Sequence, residues 1–232
     1  MTFAQKLISQ LHTIHHSRST LPEGWHFMNP YKDFEQAKEI SAQFYNTYLN
    51  DNKKRSVLFG INPFKWGAGL TGIPFTDAKR MKENCGIDYK GKASSEQSAA
   101  FIYDVIDAYG GPGKFYRAFY FNWLCPLGFL HERKDNKNGY AYYESRELFK
   151  SVKELIVRNI ASQIQIGAKR DTCFVVGTGK NESCLHEIND QHQFFKKIIA
   201  LEHPGFISRY GRTEIPAFRK KYLHALATVI KK

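Results

Sequence analysis

Cysteine is scarce in this chain and never closely paired: Cys85, Cys125, Cys173 and Cys184 are its four, and no two form a CxxC motif. That spacing argues against a zinc knuckle, a thioredoxin-type motif or a disulfide framework, so reduced thiols are expected. Long apolar runs are missing as well. None approaches the roughly 18 to 20 residues that span a bilayer, which predicts a soluble chain with no membrane partner. Met1 to Gln10 has no continuous apolar segment followed by a small-residue cleavage site, so an intracellular, cytoplasmic protein is expected. Complete nucleotide signatures are absent too. GTGKN at Gly177 to Asn181 resembles half a phosphate loop, but Asn181 stands where the metal-binding hydroxyl belongs, and the segment reads as a tight strand-to-helix turn. GGPG at Gly110 to Gly113 reads as a turn, with a backbone-amide nest as the alternative. The nine histidines show no metal-ligand spacing, and neither metal nor nucleotide cofactor is expected.

Negative charge is also in short supply. Against 34 Lys and Arg there are 22 Asp and Glu, a formal net charge of +12. The excess concerns partners rather than fold, and nucleic acid is the commonest polyanion to suit it. Basic residues cluster at Lys53 to Arg55, Lys79 to Lys92, Arg133 to Lys137 and Arg209 to Lys221, with aromatics interleaved. A merely well-solvated basic surface is the bland alternative.

What the chain has in abundance is glycine at one place. Ser56 to Phe59 is a short apolar run of β character, and Gly60, Pro63, Gly67, Gly69, Gly72 and Pro74 then punctuate the stretch up to Phe75. Glycines at this density let backbone approach a ligand closely, and the loop carries a single carboxamide, Asn62.

At 232 residues the chain is expected to form one domain, residues 1–232, with a helical N-terminal part over 1–50. Apolar spacing predicts helices over Phe3 to Ile14 and Phe34 to Tyr48, the latter with Asp33 as a possible N-cap. Four core strands are expected: Ser56 to Gly60, Ala118 to Trp123, Thr172 to Val176 and Ile198 to Leu201. Helices over Ser94 to Tyr109, Tyr143 to Ile166 and Asn181 to Phe195 separate them, and Glu214 to Ile230 closes the chain. This alternation predicts an α/β fold, a three-layer αβα sandwich around a mainly parallel four-stranded sheet, with ligands at the carboxyl ends of the strands. The polar residues that follow those ends are Asn62, Asn122 and His203, with Glu202 the one acid beside them. A carboxylate pair for ordinary glycoside hydrolysis is therefore not found. Taken singly, each of these residues also has a structural reading in local backbone bonding. Together with Phe75 as a stacking face, they match how an extruded base is read, by aromatic stacking plus amide edges.

The motifs resemble the uracil-DNA glycosylase superfamily, and most closely its single-strand-selective monofunctional branch. GINP and TGIPF, at Gly60 to Pro63 and Thr71 to Phe75, are similar to that branch's first motif. FNWLCPL at Phe121 to Leu127 is similar to the strand that supplies its pyrimidine-reading asparagine, and HPG at His203 to Gly205 to the start of its second motif. The resemblance implies that Asn62 positions the attacking water, Phe75 stacks on uracil, Asn122 reads the base edge and His203 hydrogen-bonds the oxygen on which charge develops. It implies further base-binding positions at Gly60, Ile61 and Gly72. Lys65, Gly205, Phe206, Ile207, Arg209 and Arg212 are expected to face DNA, with Phe206 or Ile207 as a wedge and the arginines on phosphates.

The sequence also departs from the branch. Phe64, Lys65 and Leu70 replace its usual residues, and a longer loop is expected over Gly205 to Arg212. The expected activity is monofunctional hydrolysis of uracil or a related damaged pyrimidine from single- or double-stranded DNA, by a monomer. Two alternatives stand beside it: a catalytically weak or inactive nucleic-acid or lesion binder, and a hydrolase of free nucleosides, which the basic charge disfavours.

Overall fold

The computed structural model describes residues 1–17, 20–133, 135, 138–210 and 212–230, without the side chains of Tyr210 and Arg212. The chain opens with α1 (Phe3–Thr13), fixed at its start by a reciprocal cap between Thr2 and Gln5, and burying Phe3, Ala4, Leu7 and Leu11 along one stripe. It continues through β1 (Trp25–Met28), α2 (Pro30–Asp33), α3 (Ala37–Tyr48), β2 (Ser56–Gly60), α4 (Ala68–Thr71), α5 (Ala78–Glu83), α6 (Gln97–Tyr109), α7 (Pro112–Ala118), β3 (Phe119–Trp123) and β4 (Gly128–His131). The second half contributes α8 (Arg146–Ile166), β5 (Cys173–Val176), α9 (Lys180–His192), β6 (Ile198–Leu201), α10 (Pro204–Tyr210), a 3-10 turn (Arg212–Glu214) and α11 (Ile215–Ala227).

The central sheet runs β3-β2-β5-β6, and every pairing in it is parallel. Successive side chains on a strand point to opposite faces, yet β2, β3 and β5 are buried at every position. Both faces of the sheet are therefore covered, which is what a parallel sheet flanked by helices requires. Because β2 and β5 lie in the middle, the chain reverses direction across the sheet between them. The carboxyl ends of all four strands open onto one edge.

At the opposite edge, just before β2 begins, the core holds a fully buried cation. The Arg55 guanidinium donates to Tyr116 O at 2.7 Å, Lys53 O at 2.9 Å and Asp51 Oδ2 at 2.9 Å, and lies over the Phe3 ring. Every part of its fork is thus satisfied, the condition under which a charge can be buried.

Several elements differ from expectation for local reasons. The helix expected from Phe34 starts at Ala37, because Asp33 closes the separate turn α2 and its carboxylate accepts the Asn29 N–H at 2.8 Å. The GGPG turn opens α7, with Pro112 at the first helical position, where its missing N–H costs nothing. The GTGKN turn connects strand to helix as expected, with Gly177 and Gly179 both at positive φ. The antiparallel pair β1-β4 was not anticipated. Its members are four residues long and a hundred residues apart, so no local hairpin signal exists.

Candidate active site

The site grows from the end of β2. Gly60 is the last residue of the strand, and it leaves room for Phe75: a Cβ there would meet the edge of that ring at 3.0 Å. Asn62, two residues on, is 3% exposed and fully engaged by backbone. Its Nδ2 donates to Pro63 O at 3.0 Å and Tyr140 O at 3.1 Å, and its Oδ1 accepts from Tyr142 N at 2.9 Å. Both amide hydrogens are therefore used, and one lone pair of Oδ1 is left. These bonds also fix which way the carboxamide faces.

The loop then makes the short helix α4. Gly67 precedes it at φ +50°, and a Cβ there would lie 2.1 Å from the Glu96 carboxyl group. Burial, reinforced by the nearby Asp77 charge, raises the Glu96 carboxyl above its ordinary value, and a hydrogen bond from Ala68 opposes the rise. Gly72 closes α4 in the left-handed conformation, its carbonyl accepting the Tyr31 hydroxyl at 2.7 Å. Phe75 itself has φ +55°, uncommon for a bulky residue and found where a site holds backbone under strain. Its ring packs edge-on against Phe121 at 5.2 Å and tilted against His203 at 5.9 Å.

His203 follows β6. Its Nδ1 accepts the Gly205 N–H at 3.0 Å, so the neutral ring carries its proton on Nε2. Burial pushes this imidazole down to about 4. At neutral pH it is an uncharged donor.

Asn62, Phe75 and His203 converge on a cleft of about 300 Å³, together with Ile61, Trp123, Glu96 and Ser98. Phe64, Trp66, Ala68 and Asn138 complete its wall. An opening of this size suits one small ligand. Asn122 reaches the same strand end but is not among the lining side chains. Its neighbour Trp123 is, as the alternation of side chains along β3 requires. Asn122 is instead buried, its Oδ1 accepting the Trp123 N–H at 2.7 Å and its Nδ2 having no partner among the described residues. Gly60 and Gly72 likewise shape the loop without lining the cleft: one makes room for Phe75, and the other turns the chain over Tyr31.

The segment after His203 is a correction. It is not an extended loop but the helix α10, packed on α6, and Ile207 is 0% exposed within the core. A side chain so placed cannot act as a wedge. Phe206, one position earlier, is 51% exposed, and Lys65 and Arg209 are also exposed. Gly205 serves the site through its N–H to His203. The Arg212 side chain and part of the charged stretch 131–138 lie outside the described residues.

Glu96, Ser98, Trp66 and Trp123 were missed in the sequence. Only Trp123 left a signal there: it neighbours Asn122 on a strand, and strict alternation shows that one of the two must face away. Among the described residues no group of three or more His, Cys, Asp or Glu comes together as a metal site, and no helix is long and apolar enough to cross a membrane.

A parallel sheet of this order, with a glycine loop, a buried carboxamide and a neutral imidazole at one edge, defines a class of base-excising enzyme. The chain belongs to the uracil DNA glycosylase superfamily, whose family model matches residues 47–227. More particularly, it is similar to the wild-type SMUG2 of Pedobacter heparinus, whose crystal structure matches with a TM-score of 0.96 and 46% identity over 100% of both chains. Among curated protein sequences there is no match.

Proposed function

We propose that this uracil-DNA glycosylase hydrolyses the N-glycosidic bond of uracil with Phe75, His203 and Asn62 as its working residues. The observation that carries the assignment is their convergence on one 300 Å³ cleft at the carboxyl edge of the sheet. The base stacks on Phe75. As the bond breaks, uracil leaves as an anion, and the His203 Nε2–H donates to the oxygen that gains the charge. Because the donor is neutral and held by Gly205, no reorganisation is needed as the charge forms, and such a donor is worth about a hundredfold or more in rate. The spare lone pair of Asn62 Oδ1 accepts a hydrogen of the attacking water. A carboxamide with both hydrogens committed can orient this water but cannot take its proton, so the chemistry depends on departure of the base rather than on a strong nucleophile.

Trp123, and not Asn122, forms the wall at the end of β3. The edge of the base is then read by the other polar groups of the cleft, Ser98 and the Glu96 carboxyl, whose pKa burial raises above its ordinary value. DNA is the substrate, and the enzyme acts as a monomer on extruded bases in single or double strands. The non-catalytic binder is not favoured, since the cleft, the donor and the carboxamide are all in place.

The test is incubation of the purified protein with uracil-containing single-stranded and duplex oligonucleotides, followed by alkali. Scission at the uracil is expected, without a borohydride-trapped adduct, because no lysine nucleophile takes part. Intact strands on both substrates would reject the assignment.

A further inference from the structure

A second groove, of about 410 Å³, adjoins the active cleft, and the two share one side chain, Trp66. We propose that this groove is a subsite for the nucleotide next to the extruded one on the same DNA strand, with Trp66 as its stacking platform. The inference rests on the glycosylase assignment.

Extruding a base breaks its stacking on its neighbours and leaves an apolar ring face bare beside the cleft mouth. Trp66 is suited to cover that face. Large exposed apolar side chains are few among the described residues: Met1 and Ile230 lie near the two ends of the sequence, Phe206 is on α10 at 51% exposure, and Trp66, at 36%, lines the active cleft. The Lys92 Nζ sits 3.9 Å from the Trp66 ring centroid, so a cation already occupies one side of the indole. That arrangement steadies the ring for stacking and puts a cation in the groove to meet the strand's phosphates. Lys65 lines the groove as a second cation, and Gln36 and Tyr89 offer polar atoms for a base edge. The groove also contains Asp33 and Glu35. Both are exposed, and Asp33 is engaged by the Asn29 N–H, so neither places an unscreened charge against a phosphate. The occupant is a nucleotide of the same strand because the groove and the cleft that takes the neighbouring base meet at the Trp66 indole.

The experiment places an abasic spacer on either side of uracil in a single-stranded oligonucleotide and compares wild type with Trp66→Ala and Trp66→Phe. For wild type, removing the neighbouring base on one side is expected to raise KM about tenfold. Trp66→Ala should raise KM by a similar factor on the intact strand and be insensitive to the spacer, while Trp66→Phe keeps most of the affinity. Lys92→Gln should lower the slope of log affinity against log salt by about 0.7, the share of one phosphate on a single strand. Additive effects of Trp66→Ala and the spacer, or an unchanged KM in Trp66→Ala, would overturn the subsite. Binding of strands carrying 2-aminopurine on each side of uracil provides a readout independent of cleavage. Wild type should alter its fluorescence on one side and Trp66→Ala should not. If wild type releases no uracil, the glycosylase assignment fails and this fluorescence still decides the subsite: no Trp66-dependent change on either side rejects it.

Discussion

His203→Asn separates chemistry from folding at one position. The imidazole has one observed role and one proposed: Nδ1 holds the Gly205 N–H at the start of α10, and the Nε2–H is the donor we propose for the leaving uracil. An asparagine side chain can accept the same backbone N–H in an Asx-type turn, but offers nothing where Nε2 stood. Melting at neutral pH should therefore fall only modestly, by about 1 kcal/mol of stability for the lost ring packing on Phe75. The single-turnover rate of uracil release should fall by about 100- to 1000-fold, the cost of one lost donor to a developing oxyanion. The pH profile carries an independent signature. With burial holding the ring at about 4, only about 3% of it is protonated at pH 5.5, against about nine-tenths for an ordinary histidine. The wild-type rate should stay flat from pH 8 to about 5 as far as this group is concerned. Stability should follow the opposite logic. Between the ordinary value of 6.5 and the folded value near 4 the unfolded chain binds the proton and the folded chain does not, so wild type loses stability as pH falls through that window. His203→Asn should lose less. A variant rate within threefold of wild type, or a wild-type limb near 6.5 that vanishes in the variant, would refute the assigned role.

Other substitutions probe the surroundings. In Asn62→Asp the new carboxylate would face the carbonyls of Pro63 and Tyr140, which raises its folded pKa; the stability retained at low pH should be lost as pH rises through that value, seen as a melting temperature that declines from pH 4 to 7 relative to wild type. A variant that melts alike at both pH values would show that the two carbonyl contacts do not constrain the amide. Glu96→Gln removes a carboxyl held above its ordinary 4.5 by burial, so its melting advantage over wild type should grow as pH rises from about 4.5 towards 8; a constant difference would count against the raised carboxyl. Ile207→Ala should cost about 2 to 5 kcal/mol of stability, whereas Phe206→Ala should leave melting unchanged and weaken DNA binding, and the reverse pattern would reject the placement of α10.

The core strands and the glycine loop were legible in the sequence because both leave local marks. β2 and β6 match their expected bounds, since short apolar runs flanked by turn residues are hard to read otherwise. Helix starts were less legible. At Asp33 a plausible cap residue belonged to a different turn, and only its bond to Asn29 distinguishes the two. Site residues divided the same way. Asn62, Phe75 and His203 lie in or next to recognisable motifs, and all three line the cleft. Glu96 and Trp66 carry no motif; they enter because the fold brings α6's start against Gly67 and turns the indole between two grooves. Asn122 is a motif position of another kind: it reaches the same strand end with a buried Nδ2 that has no partner among the described residues, while its neighbour Trp123 lines the cleft. Ile207 became core for a reason absent from its sequence surroundings, the packing of α10 on α6.

The bonds of Asn62 have an evolutionary consequence. Its carboxamide rivets the glycine loop to residues 140 and 142, eighty positions along the chain, through contacts that have nothing to do with uracil. Substitutions at this position that remove the carboxamide, and with it the water placement proposed for it, therefore loosen the junction of two distant segments as well. A descendant that gave up catalysis and kept its hold on DNA would have an easier route through Phe75 or His203. Among relatives of this fold, loss of the asparagine should be accompanied by changes around Tyr140 and Tyr142, because a silent active site and an intact scaffold cannot be separated at that residue alone.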